Sequence, residues 1–448
     1  MRLEGLAVVL AALTIPGYWF YELAAQHNPS AMLSQYLGAA ALVAMALAQV
    51  LATRLTALER LFGGLDRIYV LHKWLGIGAI GALLLHDAIG AKSGRSRSKT
   101  WLTELGKELG EVTLDGLIVL VLVSILTIIP YRLWYWSHKL MGAVFAAGAL
   151  HFVLVRKPFA LTDPVAVYVM SFCLLGVLAW LYTLLPIGRS LARRRYVIRT
   201  IEPAGDAIAV TLAPQHRGLV HRAGQFAFLS FDVPGLRETH PFTISSPPAS
   251  DGALRFSIKP LGDFTRRLGP GLAVGQAVRI SGPHGRFLQQ RRKGPDVWIA
   301  GGIGVAPFVA WAGTLANDAG PIHMFYCVRG LASAAHLDEL QATAARVPGF
   351  RLHLIDSSSG ARLTAAQIAQ VVGGGLAEAH VSFCGPKAMR NDLRRDLVAL
   401  GLKGRRFHDE EFEIRTGIGF LERLVVRGVA AARQVLSGRR VDPVRPAA

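Results

Sequence analysis

The sequence predicts a multi-domain membrane protein, in which a bundle of apolar helices precedes two domains that contain sheets. Hydrophobic residues make up 52% of the 448 positions, which is high for a soluble protein. The long apolar runs are confined to the first 190 residues, and strand-like runs with Gly and Pro turns follow them. This change of pattern indicates a membrane portion followed by domains that fold in water.

Six apolar runs in the first part of the chain each approach the length of about 20 residues that a helix needs to cross a bilayer. The first run lacks the basic segment and the small-residue cleavage site of a signal peptide, so we interpret it as a retained helix. The sequence therefore predicts a six-helix transmembrane bundle over residues 1–190. The runs cover residues 3–21, 31–52, 69–90, 113–133, 137–155 and 164–186.

Three further segments follow the bundle. Residues 191–292 contain short β-rich runs between turns, which predict an antiparallel β-barrel. In residues 293–415 strands alternate with helices, as in βαβ units, which predicts an α/β domain with a parallel sheet. Residues 416–448 form a basic extension with an amphipathic helical pattern, which is suited to an anionic membrane face.

The net charge of +19 has two interpretations, nucleic-acid binding and membrane topology. Cytoplasmic loops of membrane proteins are rich in Lys and Arg, so we favour membrane topology and expect no nucleic-acid partner. The three cysteines, Cys173, Cys327 and Cys384, lie far apart along the chain. Their spacing excludes a disulfide framework and the usual zinc and haem-attachment motifs.

Four histidines lie within the apolar runs, and imidazoles in hydrocarbon usually mark a functional site. His72 and His86 are fourteen positions apart in the third run, and His138 and His151 are thirteen apart in the fifth. At about 1.5 Å per residue, each pair is separated by roughly 20 Å along its helix. The two helices run in the same direction, so His72 is level with His138, and His86 with His151. Two levels of paired imidazoles predict two bis-histidine b-type haems.

The spacing of thirteen residues does not return both rings to one helix face at about 100° per residue. The fifth helix must therefore bend, tighten, or present His138 and His151 on different sides. A single membrane histidine is more often an interface anchor than a ligand, and a chain of membrane histidines could relay protons in an ion transporter. The two matched pairs favour haem ligation over both alternatives.

Two segments of the β-rich region suit a flavin nucleotide. "HPFTISSPP" (240–248) follows a strand and carries an aromatic plane, a hydroxyl and a polar side chain on one extended segment. In "IKPLGDFTRRL" (258–268), Gly262 allows close backbone approach, and Thr265 opens a helix whose first amides can face a phosphate. Either segment alone is weak evidence, because such strands also form ordinary barrel cores.

A dinucleotide signal follows in "VWIAGGIGVAPF" (297–308), where an apolar strand leads into Gly301, Gly302 and Gly304 before a helix begins. Small residues at this place let backbone amides reach a pyrophosphate at the helix N-terminus. The strand before the glycines and the helix after them are the context that this mechanism requires. A later strand ends in "SFCGP" (382–386).

In this order along the chain, the motifs resemble those of the ferric reductase and NADPH oxidase superfamily, in which a six-helix haem domain is fused to a ferredoxin-reductase-like module. The resemblance implies that FAD contacts His240, Pro241, Phe242, Thr243, Ile258, Lys259, Gly262, Asp263, Phe264 and Thr265. It implies that the nicotinamide cofactor contacts Gly301, Gly302, Gly304, Pro307, Cys384, Gly385 and Pro386. His240 stands where the soluble reductases carry an arginine, and in "GPHGRF" (282–287) His284 replaces the aromatic residue of a turn that the family shares.

Two residues are expected to act at the hydride-transfer site. The resemblance places Cys384 beside the nicotinamide, although a buried cysteine is often only a small hydrophobe. "FHDEEFEIR" (407–415) is similar to the family's C-terminal segment, which implies that Phe412 stacks on the flavin. Arg329 follows the strand after the Gly-rich loop, where an arginine accommodates the 2′-phosphate, so we predict NADPH rather than NADH.

The resulting hypothesis is a multi-pass enzyme of the cell membrane, with its FAD and nicotinamide domains in the cytoplasm and an external electron acceptor. The lipid bilayer is the other expected partner, and no obligate protein partner is inferred. We favour a ferric complex as acceptor, because the basic loop 91–99 follows His86 and would attract an anionic chelate. That same loop departs from the positive-inside tendency. The alternatives are an NADPH oxidase that reduces dioxygen and a non-catalytic haem anchor for another protein.

Overall fold

The computed structural model describes residues 2–90, 100–126, 129, 131–185, 193–289 and 294–410. The chain divides into two compact units, with the division near residue 187. The first unit consists of helices and the second contains two sheets. Each unit is described by itself below.

Three long helices of the first unit begin with a capping hydrogen bond or with Pro in the first turn. Asn28 accepts a hydrogen bond from the amide of Ser30, and Pro29 occupies the first helical position of α2. The helices are α1 (Leu3–Ala24), α2 (Pro29–Ala52), α3 (Thr56–Phe62), α4 (Leu65–Ile89), α5 (Trp101–Ile125), α6 (Tyr131–Lys139), α7 (Met141–Leu154) and α8 (Pro164–Leu184).

Within the described residues, five helical segments are long and apolar enough to cross a membrane, so the predicted six are not all confirmed. The segment that fails is the fourth, predicted over 113–133. Its helix α5 instead begins at Trp101, and its first fifteen residues carry charged side chains that lower its hydropathy. These charged residues are Glu104, Lys107, Glu108, Glu111 and Asp115.

The fifth segment is interrupted, as the spacing of its histidines requires. Helix α6 ends at Lys139 and α7 begins at Met141, so His138 and His151 lie on separate helical pieces. The indole Nε1 of Trp180 donates to the freed carbonyl oxygen of Lys139 at 2.9 Å. Any side chain at Gly142 would collide with the Trp180 ring. An inserted side chain of this kind is a usual cause of a helix kink.

The first sheet of the second unit is antiparallel, with strand order β4-β3-β6-β1-β2-β5. Within the described residues the predicted closed barrel is not confirmed: β4 and β5 are edge strands, joined just beyond β4 by the isolated bridge between Ile244 and Phe256 and by a hydrogen bond from the Ser245 amide to the Arg255 oxygen at 2.8 Å. Its elements are β1 (Arg193–Ala204), β2 (Ala207–Pro214), β3 (Phe226–Phe231), β4 (His240–Thr243), β5 (Leu254–Ile258), α9 (Asp263–Gly271) and β6 (Ala277–His284).

The second sheet is entirely parallel, as predicted, with strand order β11-β10-β7-β8-β9. Two apolar clusters cover it, and the buried rings of Trp298 and Phe383 belong to one cluster each. Its elements are β7 (Asp296–Gly301), α10 (Ala306–Ala312), β8 (Ile322–Val328), α11 (Leu337–Arg346), β9 (Phe350–Asp356), α12 (Ala365–Val372), β10 (His380–Cys384), α13 (Lys387–Ala399) and β11 (Phe407–Glu410).

Candidate functional site

The helical unit brings the four membrane histidines into two levels. The ring centres of His72 on α4 and His138 on α6 are 5.9 Å apart, with their planes inclined by 56°. At the other level, His86 and His151 are close enough to interact electrostatically. A metal–imidazole bond measures about 2 Å, so two rings on opposite sides of one ion have centres roughly 6 Å apart. The spacing of His72 and His138 fits an iron between them.

Each of the four imidazoles is held through its Nδ1 atom. Oxygen atoms on α2 accept hydrogen bonds from His72 and His86, and oxygen atoms on α5 accept them from His138 and His151. The Nδ1 atoms lie 3.0 Å from the Ala48 oxygen for His72, 2.7 Å from the Ser34 oxygen for His86, 3.0 Å from Ser124 Oγ for His138 and 2.7 Å from the Gly106 oxygen for His151.

This arrangement fixes which ring nitrogen is available. Nδ1 donates to an oxygen in all four histidines, so Nε2 is the unprotonated nitrogen that can bind a metal. Metal-binding histidines in proteins are usually oriented by such a second hydrogen bond. The donor set therefore fits two haem irons, one at each level.

Two glycines of the helical unit lie against the imidazoles of the second level. A Cβ atom at Gly38 would be 3.2 Å from His86, and one at Gly110 would be 2.6 Å from His151. The helix backbones therefore pack directly on these two rings.

The expected FAD strand β4 lies at the edge of the antiparallel sheet. The His240 ring stacks on the Phe264 ring with centres 3.9 Å apart, and its Nε2 lies 3.2 Å from a Glu238 carboxylate oxygen. Burial lowers the pKa of His240, although Glu238 acts in the opposite direction. Phe264 belongs to the sheet's apolar core, whereas Phe242 is only partly buried and Thr243 ends the strand.

The expected pyrophosphate segment differs in detail from the sequence prediction. Helix α9 begins at Asp263, with Gly262 as its N-cap, so Thr265 is in its first turn and does not open it. The Thr265 hydroxyl accepts hydrogen bonds from the amides of Leu261 and Gly262, both at 3.0 Å. Gly262 faces open space, which leaves room for a ligand.

The other residues expected near FAD lie in or next to the strands of the antiparallel sheet. The buried side chain of Ile258 ends β5. The ammonium group of Lys259, the next residue, lies 2.5 Å from an Asp206 carboxylate oxygen. Pro241 is within β4, opposite Phe228 on β3. His284 is buried, and its ring packs edge-on against the Phe228 ring with centres 5.3 Å apart. A phosphate would therefore have to compete with Asp206 for Lys259.

The carboxyl ends of all five parallel strands meet at one edge of the second sheet, where ligands of open α/β sheets bind. Gly301 ends β7 there and packs against the loop after β10, because a Cβ atom at 301 would be 2.6 Å from Pro386. Gly304 likewise admits no side chain beside Cys384. Gly302, with φ of +55° and open space around it, is the glycine that leaves room for a nucleotide.

Other predicted nicotinamide residues surround this edge. Gly385 approaches Gly301, with its own Cβ position 3.0 Å from the Gly301 backbone. Pro307 is the second residue of the buried helix α10. Arg329 is exposed at the end of β8 and has no ion pair among the described residues. Phe412 and the basic loop 91–99 lie outside the described residues.

Sequence reasoning missed Glu410, which lies beside Cys384 in the parallel register of β10 and β11. Cys384 is fully buried and Glu410 is 8% exposed. Burial raises the pKa of both side chains well above their ordinary values. The Glu410 Oε2 atom has no hydrogen-bond partner within the described part of the chain. The signal was present in "FHDEEFEIR", whose acidic residues precede Phe412.

Comparison with protein families identifies three modules in this order. Residues 37–149 match the ferric reductase like transmembrane component, residues 192–287 match an FAD-binding domain, and residues 298–395 match an oxidoreductase NAD-binding domain. The transmembrane match and the apolar helices indicate a multi-pass membrane protein.

Curated relatives match about half of the chain. The toluate 1,2-dioxygenase electron transfer component of Pseudomonas putida is 29% identical over 225 residues, 48% of this chain and 65% of the relative. The flavohemoprotein of Bordetella pertussis is 27% identical over 240 residues, 48% of this chain and 59% of the relative. The chain thus spans less than two thirds of the length of these relatives.

Similar solved structures include the flavohemoglobin of Malassezia yamatoensis, with a TM-score of 0.48 and 16% identity over 92% of this chain and 99% of that one. The FAD/NAD binding domain of nitric oxide dioxygenase from Vibrio cholerae has a TM-score of 0.44 and 23% identity over 48% of this chain and 97% of that one.

The order of the three modules is the one that the sequence motifs indicated. A ferric-reductase-like transmembrane component precedes FAD-binding and NAD-binding domains on one chain, which is the composition of an electron-transfer oxidoreductase. In its three modules and their order, the chain matches the ferric reductase and NADPH oxidase superfamily.

Proposed function

We propose that the protein is a transmembrane oxidoreductase that transfers electrons from cytoplasmic NADPH, through FAD and two b-type haems, to an acceptor on the opposite side of the membrane. The observation that carries the proposal is the common arrangement of the four histidines, with Nδ1 engaged and Nε2 left for iron. The FAD-binding and NAD-binding domains on the same chain supply the donor side.

The bound cofactors supply the redox chemistry: nicotinamide donates a hydride, FAD divides its two electrons, and each haem accepts one electron at a time. The protein holds these groups in place. His72 and His138 would bind one iron, and His86 and His151 the other. Phe145 lies between the two levels on α7 and is fully buried, so its ring fills the space within the helix packing and keeps water out.

The charges of the helical unit support a cytoplasmic location for the His72 level. Positively charged residues concentrate on the cytoplasmic side of membrane proteins. The chain also leaves the helical unit on this side, since Lys139 donates to the carbonyl oxygen of Thr183 near the end of α8 at 3.0 Å. The basic residues at this end are Arg2, Arg54, Arg60, Arg67, Lys73 and Lys139.

NADPH is the proposed donor because Arg329 follows β8 as an exposed, uncommitted cation at the ligand edge of the sheet. The end of the equivalent strand carries an acid in sites that select NADH. No acid occupies the end of β8, where Val328 is followed by Arg329 and Gly330. An arginine at this place suits the 2′-phosphate of NADPH.

A ferric complex is the proposed acceptor, with dioxygen as the second candidate. His86 and His151 would hold the haem iron at this level, so the acceptor would receive its electron without binding the iron. Lys157 adds a cation at this level: its ammonium group is fixed to the carbonyl end of α7, with the Val155 oxygen at 3.0 Å, and it lies within electrostatic range of His151. A cation close to the outer level would favour an anionic ferric chelate over a neutral molecule.

An absorption spectrum of the purified chain, before and after addition of NADPH without oxygen, tests the proposed function. We expect the spectrum of a six-coordinate b-type haem, two haems and one FAD per chain, and reduction of all three by NADPH. A chain that contains no haem would support an ion transporter and refute the proposal. Haems that NADPH does not reduce would indicate a membrane haem anchor that serves a separate protein.

A further inference from the structure

A chain of hydrogen bonds, buried at its Ser245–Ser257 end and exposed at Glu339, joins the FAD-binding domain to the nucleotide-binding domain. His336, at the start of α11, has its Nε2 atom 2.6 Å from Ser257 Oγ on β5. Its Nδ1 atom lies 2.6 Å from a carboxylate oxygen of Glu339. The Ser257 hydroxyl also donates to Ser245 Oγ at 2.8 Å. The imidazole thus bridges a strand of one domain and a helix of the other.

Arg255, on the same strand as Ser257, closes a ring around this bridge. Its two terminal nitrogens donate to the two carboxylate oxygens of Glu339, both at 2.8 Å, and one of them donates to the Ser245 oxygen at 3.0 Å. Burial alone would raise the pKa of Glu339, but hydrogen bonds from His336 and Arg255 outweigh it and lower that pKa to about 2. Glu339 is therefore a carboxylate that binds two cationic or donor groups at once.

The backbone of His336 is held in a conformation that side chains seldom adopt. Its φ of +56° places it in the left-handed region, where a residue with a Cβ atom is strained. Such strain persists only when the surroundings over-determine it, and it tends to occur at functional positions. Here the hydrogen bonds of both imidazole nitrogens hold His336 in this conformation.

The order serine, histidine and carboxylate is also that of a hydrolytic triad, but this one cannot act as such. Ser257 is 6% exposed and the His336 side chain 4% exposed, so no substrate can reach the hydroxyl. The Ser257 proton is directed at Ser245 and away from the imidazole. A nucleophilic serine instead needs its proton on the histidine and an open approach.

A second, apolar contact joins the same two domains. The ring of Phe287 stacks on the ring of Trp311 with centres 4.8 Å apart, and Trp311 Nε1 donates to the Ala223 oxygen at 3.1 Å. The same interface also brings Gly205 against the backbone of Ser333 and Ala334, and Gly313 against Pro247. The bridge through His336 adds hydrogen bonds to these packing contacts, and hydrogen bonds depend on direction as well as distance.

The bridge also ends on the segment expected to hold the flavin. Ser245 follows the predicted flavin contact Thr243 by two residues, and it is fully buried. His336 is followed by α11, which packs on the parallel sheet whose carboxyl edge would bind NADPH. A shift at His336 would therefore move the two cofactor sites relative to each other.

We propose that His336 is a positioning residue for hydride transfer, which locks the nucleotide-binding domain at the angle that brings the nicotinamide to the flavin. The hydride, with both of its electrons, leaves NADPH as NADP⁺ forms and is accepted by FAD; His336 does not touch either. Because reactant geometry can change a rate by about 100-fold for a misplacement of 1 Å, the bridge controls the rate of this step. The inference rests only on the first, NADPH-to-FAD step of the proposed function.

The test measures flavin reduction directly, by rapid mixing of the full-length, FAD-loaded protein with NADPH without oxygen. His336→Gly removes the ring and suits the left-handed backbone, whereas His336→Asn keeps a donor and also tolerates that backbone. We expect His336→Gly to lower the limiting rate of flavin reduction by about 10-fold or more. NADP⁺ affinity should change by less than about twofold, and His336→Asn should recover part of the rate. His216→Ala, at an exposed histidine, is the matched control.

The result that overturns the proposal is a flavin-reduction rate within about twofold of wild type in His336→Gly, even with a lower melting temperature. If His336→Gly loses FAD, Ser257→Ala decides, because it removes the hydroxyl that contacts His336 and Ser245 and keeps the imidazole ring. An unchanged rate in Ser257→Ala, or loss of FAD there too, shows a role in folding only. Because the readout is flavin absorbance, a protein without haem would refute the proposed function and leave this inference intact.

Discussion

The Ser124 hydroxyl lies 3.0 Å from His138 Nδ1 and donates its own proton to the Leu120 oxygen at 2.7 Å. His138 is the one membrane histidine of the four whose Nδ1 acceptor is a side chain alone, so this hydrogen bond can be removed by mutation. The hydroxyl is already committed as a donor to Leu120, which leaves it to accept from His138 and so hold Nε2 toward His72.

Ser124→Ala should weaken haem binding at the His72 level by roughly 10- to 100-fold, the usual cost of losing an orienting partner of a metal-binding histidine. Haem content and the redox titration of the two haems measure the effect, and the haem at the His86 level should be unaffected. Ser171→Ala is the matched control, because Ser171 donates only to its own helix at the Val167 oxygen. Equal haem content in both variants would contradict the assigned role of Ser124.

Gly110 gives a second, independent prediction for the other level. A Cβ atom at position 110 would be 2.6 Å from His151 Nδ1, so Gly110→Ala should displace the imidazole and remove one haem of the two. Haem-to-protein ratios measure this loss. Gly17→Ala is the control, because its Cβ atom would meet Tyr36 at an ordinary 3.4 Å. Two haems retained in Gly110→Ala would show that His151 is not a ligand.

The positions of the histidines were predictable because helix geometry converts sequence spacing into height along the membrane normal. Their Nδ1 acceptors were not, because Ala48 and Gly106 contribute backbone oxygens that have no signature in the sequence. The break at Leu140 was foreseen as one of three outcomes, but the residues behind it, Trp180 and Gly142, lie on different helical segments and meet only after packing.

In the second unit, too, local features were predictable from the sequence and contacts between distant segments were not. Its parallel sheet follows from local alternation of strands and helices, which the sequence displays. Closure of the antiparallel sheet depends on how far β4 and β5 approach each other, and no local pattern encodes that distance. Glu410 was overlooked because acidic residues near a chain segment's end usually face solvent, whereas this one is buried beside Cys384.

Glu410 makes stability depend on pH in an unusual direction. Burial raises its pKa in the folded protein well above 4.5, so the carboxyl group favours folding at low pH and this contribution is lost as pH rises from about 4.5 toward the folded pKa. Glu410→Gln mimics the protonated acid, so its stability does not decrease with pH in this way. The difference between the melting temperatures of the variant and the wild type should therefore shift in favour of the variant between pH 5 and pH 8. Glu202→Gln, at an exposed position, should show no such trend, and a parallel trend in both would contradict burial as the cause.

Arg329→Ala should reduce the preference for NADPH over NADH. Loss of a hydrogen bond to a charged group costs about 1.5–3 kcal/mol, which corresponds to roughly 10- to 100-fold in the ratio of kcat/KM values. The change should appear for NADPH and leave NADH nearly unaffected, because only NADPH carries the 2′-phosphate. Steady-state kinetics with both donors measure it. If the variant keeps its preference for NADPH over NADH, Arg329 does not bind the 2′-phosphate.

The choice of acceptor is tested by charge. If an anionic ferric chelate is reduced at the outer haem edge, its association should be accelerated by the bases Lys92, Arg95, Arg97 and Lys99, which follow His86 in the chain. Neutralising all four should lower NADPH-driven reduction of ferric citrate by about 10-fold at low ionic strength, and added salt should have the same effect on wild type. Superoxide production, measured in parallel, should change little, because dioxygen is neutral and gains nothing from these charges. The opposite pattern, with fast superoxide formation and slow iron reduction that is indifferent to salt and to the four bases, would identify dioxygen as the acceptor and the protein as an oxidase.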